Sequence, residues 1–198
     1  MLNISYCSLI IVASLQISGA FSFGSSNSRR AFVETLTTAS IVFAAQPVLA
    51  ADDLKIGGSV KFAGEEIMSP KEHGTSSVPV QENLRYGVSR KQADKICNFN
   101  RHFAESAGSF RETSFEDTVR KANGPVTFYD SNSGKPLFVA PIGRSVDEFI
   151  EESMYHGWPS FRDQEVVWDN VRVLKSSGET VSVDGTHLGR KYPCDRDS

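Results

Sequence analysis

Two short strings determine how the second half of this sequence is interpreted: HGWPSF at residues 156–161 and GTHLG at residues 185–189. In the first, the turn that contains Pro159 can present the indole of Trp158 on a rigid support. In the second, His187 follows a strand-like stretch, where an imidazole can transfer a proton near neutral pH. A core tryptophan and a structural histidine are the alternatives. The two strings predict functional side chains on the turns of a folded domain.

Regular elements are predicted on both sides of these strings. Capping boxes at Ser89 and Ser145 begin apolar stripes with helical spacing. The helices are expected at about residues 90–105, 114–121 and 146–155. Strand-like stretches lie at residues 125–130, 136–140, 165–175 and 179–184, with turn residues between the paired ones. The sequence therefore predicts an α+β fold with an antiparallel β-sheet and flanking helices.

With the upstream string GKPLF at residues 134–138, these motifs resemble the methionine-R-sulfoxide reductase B family. That family shows a hairpin ending in G-x-P-L-F, then G-W-P-S-F, then H-L-G-H. The resemblance covers about residues 124–190 and implies the family's β-tent fold. It also implies thiol-dependent reduction of methionine R-sulfoxide in peptides or proteins, with a thiol reductant and no cofactor.

The resemblance implies a substrate site around the tryptophan and the histidine. Trp158 and Phe161 would line the pocket, because an aromatic wall suits the methyl group and soft sulfur of a methionine side chain. His156 and Arg190 would lie beside the substrate, and His187 would be catalytic. Arg190 replaces the second histidine of H-L-G-H and cannot exchange protons near neutral pH, which weakens acid-base chemistry there.

The zinc ligands of some family members have no counterpart in this chain. Asp130 and Ser133 stand at the positions of the first CxxC pair, and Asp184 stands near the second. Two cysteines after residue 50 cannot build a four-thiolate site. No metal is therefore expected.

Cys194 is the candidate catalytic thiol, and its position departs from the family's pattern. The family's nucleophilic cysteine lies in a strand well beyond H-L-G-H, whereas here Cys194 follows His187 by only seven residues. Pro193 and Asp195 make a poor strand and a poor site for lowering a thiol pKa. Cys97 is expected to be a core residue, a resolving thiol or the disulfide partner of Cys194. One hypothesis is that the true coding sequence continues beyond Ser198.

The first fifty residues have the order of features found in targeting sequences. Residues 1–20 are typical of a signal peptide, and residues 21–50 of a plastid transit segment followed by a twin-arginine signal at Arg29 and Arg30. This order resembles the presequences of algae with complex plastids. Cleavage is expected after Ala50, with the thylakoid lumen as destination and no membrane span in the mature form. A retained membrane anchor at residues 31–49 is the alternative.

The remaining chain is expected to be one working domain. Residues 51–88, rich in glycine and proline, predict an extended arm with a small core contribution, and residues 89–198 predict the reductase-like domain. Removing residues 1–50 takes away two of the 21 basic and one of the 24 acidic residues, which leaves a net charge of −4. This charge argues against nucleic acid as a partner.

Three functions are compatible with the sequence. The first is a methionine-R-sulfoxide reductase, and the second is a non-catalytic module of the same fold that binds a peptide or protein through the pocket from Trp158 to Phe161. The third is a structural protein of the lumen without a small-molecule site. An oxidising lumen would favour a Cys97–Cys194 disulfide over two free thiols.

Overall fold

The structure is a computed structural model, and it describes residues 2–4, 54–84, 89–99 and 109–191. The predicted targeting segments, apart from residues 2–4, and Cys194 lie outside the described residues. So do residues 100–105 of the first predicted helix. The described part of the domain lies between residues 54 and 191, with gaps at 85–88 and 100–108.

The described residues form an α+β fold, as the sequence predicts. The helices are α1 (Arg90–Asp94), α2 (Phe115–Ala122) and α3 (Val146–His156). The strands are β1 (Leu2–Ile4), β2 (Phe62–Ala63), β3 (Val126–Tyr129), β4 (Pro136–Ala140), β5 (Ser160–Phe161), β6 (Val171–Leu174), β7 (Glu179–Ser182) and β8 (His187–Lys191). Short 3-10 turns cover Glu65–Met68, Ser109–Glu112 and Asp163–Glu165. None of the helices in this described part has the length and apolar character needed to cross a membrane.

Two sheets organise the strands. The larger sheet has six strands in the order β2-β6-β7-β8-β1-β5, and β3 and β4 form a separate antiparallel hairpin. Within the larger sheet, β2 is parallel to β6 and the other neighbours are antiparallel. Strand β1, from the start of the chain, thus lies inside the sheet between β8 and β5.

Helix α3 forms where its local signals predict it. The Ser145 hydroxyl accepts from the backbone N–H of Glu148, and the Glu148 carboxylate accepts from the backbone N–H of Ser145, so that two helix-end donors are satisfied. Gly157 ends the helix with a φ of 84°, which a side-chain-bearing residue rarely adopts. This stop turns the chain toward Trp158 and β5.

The main core is built around phenylalanine rings. The Phe161 ring stacks on Phe138 with centroids 4.4 Å apart and meets Phe128 edge-on at 4.9 Å. Phe115 and Phe149 continue the cluster, and all five rings are fully buried. Such ring pairs add about 0.5–1.5 kcal/mol each beyond the burial of their area. The hairpin, α2, α3 and β5 are joined through this cluster.

Some predicted elements differ from the structure in length or packing. The helix expected at residues 90–105 is α1 followed by a π-helical turn at Lys95–Phe99, and the strand expected at 165–175 is reduced to β6. The segment predicted as an extended arm contributes β2 and the buried side chains of Met68 and Val80. This segment is held in place by the pairing of β2 with β6. Because β6 is distant in sequence, the pairing leaves no local pattern in the sequence of the segment.

A buried ion-pair network fixes the start of α3 against β5. The Arg144 side chain is 1% exposed, donates through Nε to Glu165 at 2.9 Å and through Nη1 to Glu152 at 2.7 Å, and also donates to the Ser160 carbonyl at 2.6 Å. The Glu165 carboxylate is fully buried and also accepts from the backbone N–H groups of Ile142 and Arg162. Every polar atom that the network brings inside thus has a charged or hydrogen-bonding partner.

Removing the Glu165 carboxylate should be strongly destabilising. The Glu165→Ala variant leaves a buried guanidinium short of its main partner and two backbone donors unpaired, so we expect a loss of about 3–5 kcal/mol in unfolding free energy. Urea unfolding measures this loss. The Glu116→Ala variant removes an exposed partner of Arg120, whose charge is screened by solvent, and should leave the unfolding free energy close to that of wild type. Equal losses in the two variants would contradict the role of the network.

Candidate functional site

The predicted histidine begins strand β8 and is held by a carboxylate from β7. His187 is 5% exposed, and its Nε2 lies 2.9 Å from Oε2 of Glu179. The other carboxylate oxygen, Oε1, accepts from Arg190 Nη2 at 3.1 Å. Glu179 therefore joins the histidine and the arginine that the sequence singled out, although sequence reasoning did not identify Glu179 itself.

A β-bulge brings these three side chains to one face of the sheet. Glu179 pairs with Arg190, whereas Val181 pairs with His187, so that the register shifts between Thr180 and Val181. Directly opposite residues of an antiparallel pair project to the same face. The extra residue in β8 thus places His187 and Arg190, three positions apart, on the face of Glu179.

The electrostatics of the cluster determine which nitrogen of His187 carries a proton. Burial raises the pKa of Glu179, but the hydrogen bond and charge of His187, followed by those of Arg190, outweigh it and hold the pKa below the ordinary value of 4.5. Near neutral pH Glu179 is thus a carboxylate that can only accept, and Nε2 of His187 must donate to it. Nδ1 then accepts in the neutral ring and donates in the imidazolium.

Two buried polar atoms at the predicted site have no hydrogen-bond partner among the described residues: Nε1 of Trp158 and Nδ1 of His187. Thr180 Oγ1 and Asp184 Oδ2 share this condition. Buried polar atoms in folded proteins nearly always have a partner, so an orphaned one marks a place where a ligand group or a water molecule fits. Both residues that the sequence motifs emphasise carry such an atom.

The strand register places Trp158 and His187 at the same end of their strands. Leu2 pairs with Phe161 on one side and with Lys191 on the other, so β5 and β8 run in the same direction on either side of β1. Trp158 precedes β5 by two residues and His187 is the first residue of β8. Strands lie about 4.8 Å apart, so β5 and β8 are separated by about 10 Å. This end of the two strands is the candidate site.

Two other predicted site residues lie elsewhere. Phe161 is fully buried and stacks on Phe138, so it could contact a substrate only if the core around it moved. His156 ends α3, where its ring packs edge-on against the exposed Tyr155. Neither position gives support to the role in substrate binding that the resemblance implies.

Of the predicted states of Cys97, the structure contains a disulfide-bonded one. Its side chain is fully buried, and the cysteine bonded to it lies outside the described residues. Ser131 Oγ lies 3.1 Å from Cys97 Sγ.

Polar side chains at positions that the resemblance would equate with zinc ligands join two turns directly. The buried carboxylate of Asp130 accepts from Thr186 Oγ1 at 2.8 Å and from the backbone N–H of Asn132 at 2.8 Å. Asp184 forms an ion pair with Lys135 at 2.8 Å. These contacts tie the β3–β4 turn to the β7–β8 turn. Within the described ranges, no group of three metal-binding side chains is placed to hold an ion.

A cavity of about 240 Å³ lies away from these residues, between residues 55–61 and the side of Trp168. Lys61 forms an ion pair with Asp169 at its edge, and the Trp168 indole N–H donates to the Asp163 carbonyl. No residue that the motifs singled out reaches it.

Comparison with known proteins identifies no similar protein. Family models, curated proteins and solved structures were each compared with the chain, and none of them matches it. The candidate site therefore depends on the motifs and on the geometry described above.

The lowered pKa of Glu179 predicts a pH-dependent stability. Such a group stabilises the fold fully above its unfolded pKa of 4.5, and this contribution is lost as the pH falls through the lower folded pKa. The Glu179→Gln variant should be less stable than wild type by about 1–3 kcal/mol at pH 7, and the difference should shrink below about pH 4.5. Urea unfolding across this range measures it.

The exposed Glu151 provides the control. Glu151→Gln should follow the wild-type pH dependence. A gap between wild type and Glu179→Gln that stays constant down to pH 3 would contradict the assigned charge of Glu179.

Proposed function

We propose that this chain is a methionine-R-sulfoxide reductase B-like protein that reduces methionine R-sulfoxide in peptides or proteins of the plastid. The observation that carries the proposal is the pair of buried, unpartnered ring nitrogens on Trp158 and His187. They belong to the two motifs on which the resemblance depends, and they lie at the same end of β5 and β8.

A sulfoxide matches the hydrogen-bonding capacity of these two rings. Its oxygen is a strong acceptor, and both the indole N–H of Trp158 and Nδ1–H of a protonated His187 are donors. The indole face suits the methyl group and the sulfur of the same side chain. Nε2 of His187 is taken up by the Glu179 carboxylate, which leaves Nδ1 for the sulfoxide oxygen, and His187 serves as general acid toward that oxygen.

The reaction requires two thiols. A thiolate attacks the sulfoxide sulfur while His187 protonates the sulfoxide oxygen. The protonated oxygen then transfers to the cysteine sulfur, so that the substrate S–O bond breaks, a cysteine S–O bond forms, and the products are a thioether and a cysteine sulfenic acid. The second thiol then attacks the sulfenic sulfur, which forms a disulfide and releases water. Cys194 is the proposed nucleophile and Cys97 the resolving thiol. A disulfide at Cys97 is the oxidised product of this pair, and an external thiol would reduce it.

The second candidate is a non-catalytic module that binds a peptide or protein through the same site. The observation in its favour is the state of Cys97, which is fully buried, bonded to another sulfur and supported by Ser131. A buried disulfide of this kind suits a permanent cross-link in an oxidising compartment. Trp158 and His187 would then bind their ligand without reducing it.

A reductase assay distinguishes the two candidates. The mature protein, which begins at Ala51, is incubated with a dabsylated methionine R-sulfoxide substrate and dithiothreitol, and the thioether product is measured. We expect turnover that is abolished in Cys194→Ser and falls about 10²- to 10⁴-fold in His187→Asn, because general acid catalysis contributes that factor. Glu116→Ala, on the exposed side of α2, should keep the wild-type rate.

The outcomes separate clearly. No turnover by the mature chain, which begins at Ala51, would remove the reductase. Binding of a sulfoxide peptide without turnover, lost in Trp158→Ala, would establish the module. Turnover that survives Cys194→Ser would contradict the assigned nucleophile.

The proposed location is the thylakoid lumen. If the two N-terminal addresses are removed in sequence, protein isolated from the lumen should begin at Ala51, and N-terminal sequencing measures this directly. Exchange of both arginines at 29 and 30 for lysine should stop transfer across the thylakoid membrane, because a twin-arginine signal requires them. Recovery of a chain that retains residues 31–49 would support the anchor instead.

A further inference from the structure

Strand β1 is unusual because it comes from the extreme start of the chain yet lies inside the larger sheet. It pairs antiparallel with β8 over three residues, Leu2 with Lys191, Asn3 with Arg190 and Ile4 with Gly189. On its other side it pairs antiparallel with β5, Leu2 with Phe161 and Asn3 with Ser160. Both long edges of this short strand are therefore used.

Without β1, the sheet would have a gap of one strand. β5 and β8 are neighbours only through β1, and each would present an open row of backbone N–H and C=O groups toward the other. Exposed strand edges readily pair with another chain. Residues 2–4 belong to the segment that the sequence predicts to be removed, so the mature protein would expose this gap.

We propose that the gap between β5 and β8 is a strand-accepting site for an extended peptide segment of another protein, and that Leu2–Ile4 occupies it in the unprocessed chain. The peptide adds antiparallel to both neighbours, as β1 does. Main-chain hydrogen bonds on two sides supply most of the affinity, as in other cases of strand addition. Removal of the leader opens the site.

The direction of the strand connects this site to the rings of Trp158 and His187. The peptide residue that takes the place of Ile4 lies opposite Gly189, and the residue about two positions further on lies level with His187, the start of β8. If the proposed function holds, which this step requires, that position receives the oxidised methionine. The substrate class is then a methionine sulfoxide within an extended, unfolded segment.

The full chain can be tested with its own strand disabled. Asn3→Pro removes a backbone donor and should displace β1. We expect a fluorescein-labelled peptide SLNISY to bind the Asn3→Pro chain at least about tenfold more tightly than wild type, whose site is occupied. A peptide SLPISY, with proline at the matching position, should not bind. Fluorescence anisotropy gives the affinities.

Hydrogen exchange locates the binding. The SLNISY peptide should slow amide exchange at residues 188–191 and 160–161 of the Asn3→Pro chain. A chain that lacks residues 2–4 should behave in the same way and provides a second open variant. Near-UV circular dichroism verifies that both variants keep their packed core.

Three results would overturn the strand site. The first is binding of SLPISY as tight as that of SLNISY, and the second is no binding of SLNISY to an open variant that is folded. The third is loss of the native near-UV signal in both open variants, which would make β1 an obligatory part of the core. A separate comparison uses SLNIS followed by methionine R-sulfoxide. If this peptide binds no more tightly than SLNISY, the link to the proposed function fails while the strand site stands.

Discussion

The buried pairing of Arg144 with Glu165 is the constraint on which the arrangement of the site depends. Arg144 lies in the turn before α3, and its guanidinium reaches the carboxylate of Glu165, the carboxylate of Glu152 and the carbonyl of Ser160. A buried charge without its partner is costly, so these groups have little freedom to separate. The position of β5, and with it the turn that carries Trp158, is set relative to the helix that precedes it.

Elements with strong local signals could be predicted from the sequence, and those that depend on distant pairing could not. The capping box at Ser145 and the turn residues between β3 and β4 are contained in a few neighbouring positions, and both elements form as expected. The pairing of β2 with β6 and of β1 with β5 and β8 joins residues more than a hundred positions apart. Short strands of two or three residues leave no periodic pattern that a sequence can show.

In the candidate site too, residues within local motifs could be predicted, and contacts that depend on packing or strand register could not. Trp158 and His187 were identified from motifs, and each carries a buried nitrogen without a partner among the described residues. Phe161 belongs to the same motif, but its ring packs in the core, which alternation along a two-residue strand could not reveal. Glu179 was missed because its contact with His187 depends on a bulge, and a bulge changes register without a clear sequence mark.

The hydrogen bond between Asp130 and Thr186 has a consequence for how the domain responds to its surroundings. It joins the β3–β4 turn to the β7–β8 turn with a carboxylate and a hydroxyl, both supplied by the chain and both fully buried. Such a contact is indifferent to chelators and to the local supply of transition metals. The end of the sheet next to His187 is therefore stabilised by side chains of the chain itself, whatever the metal content of the compartment.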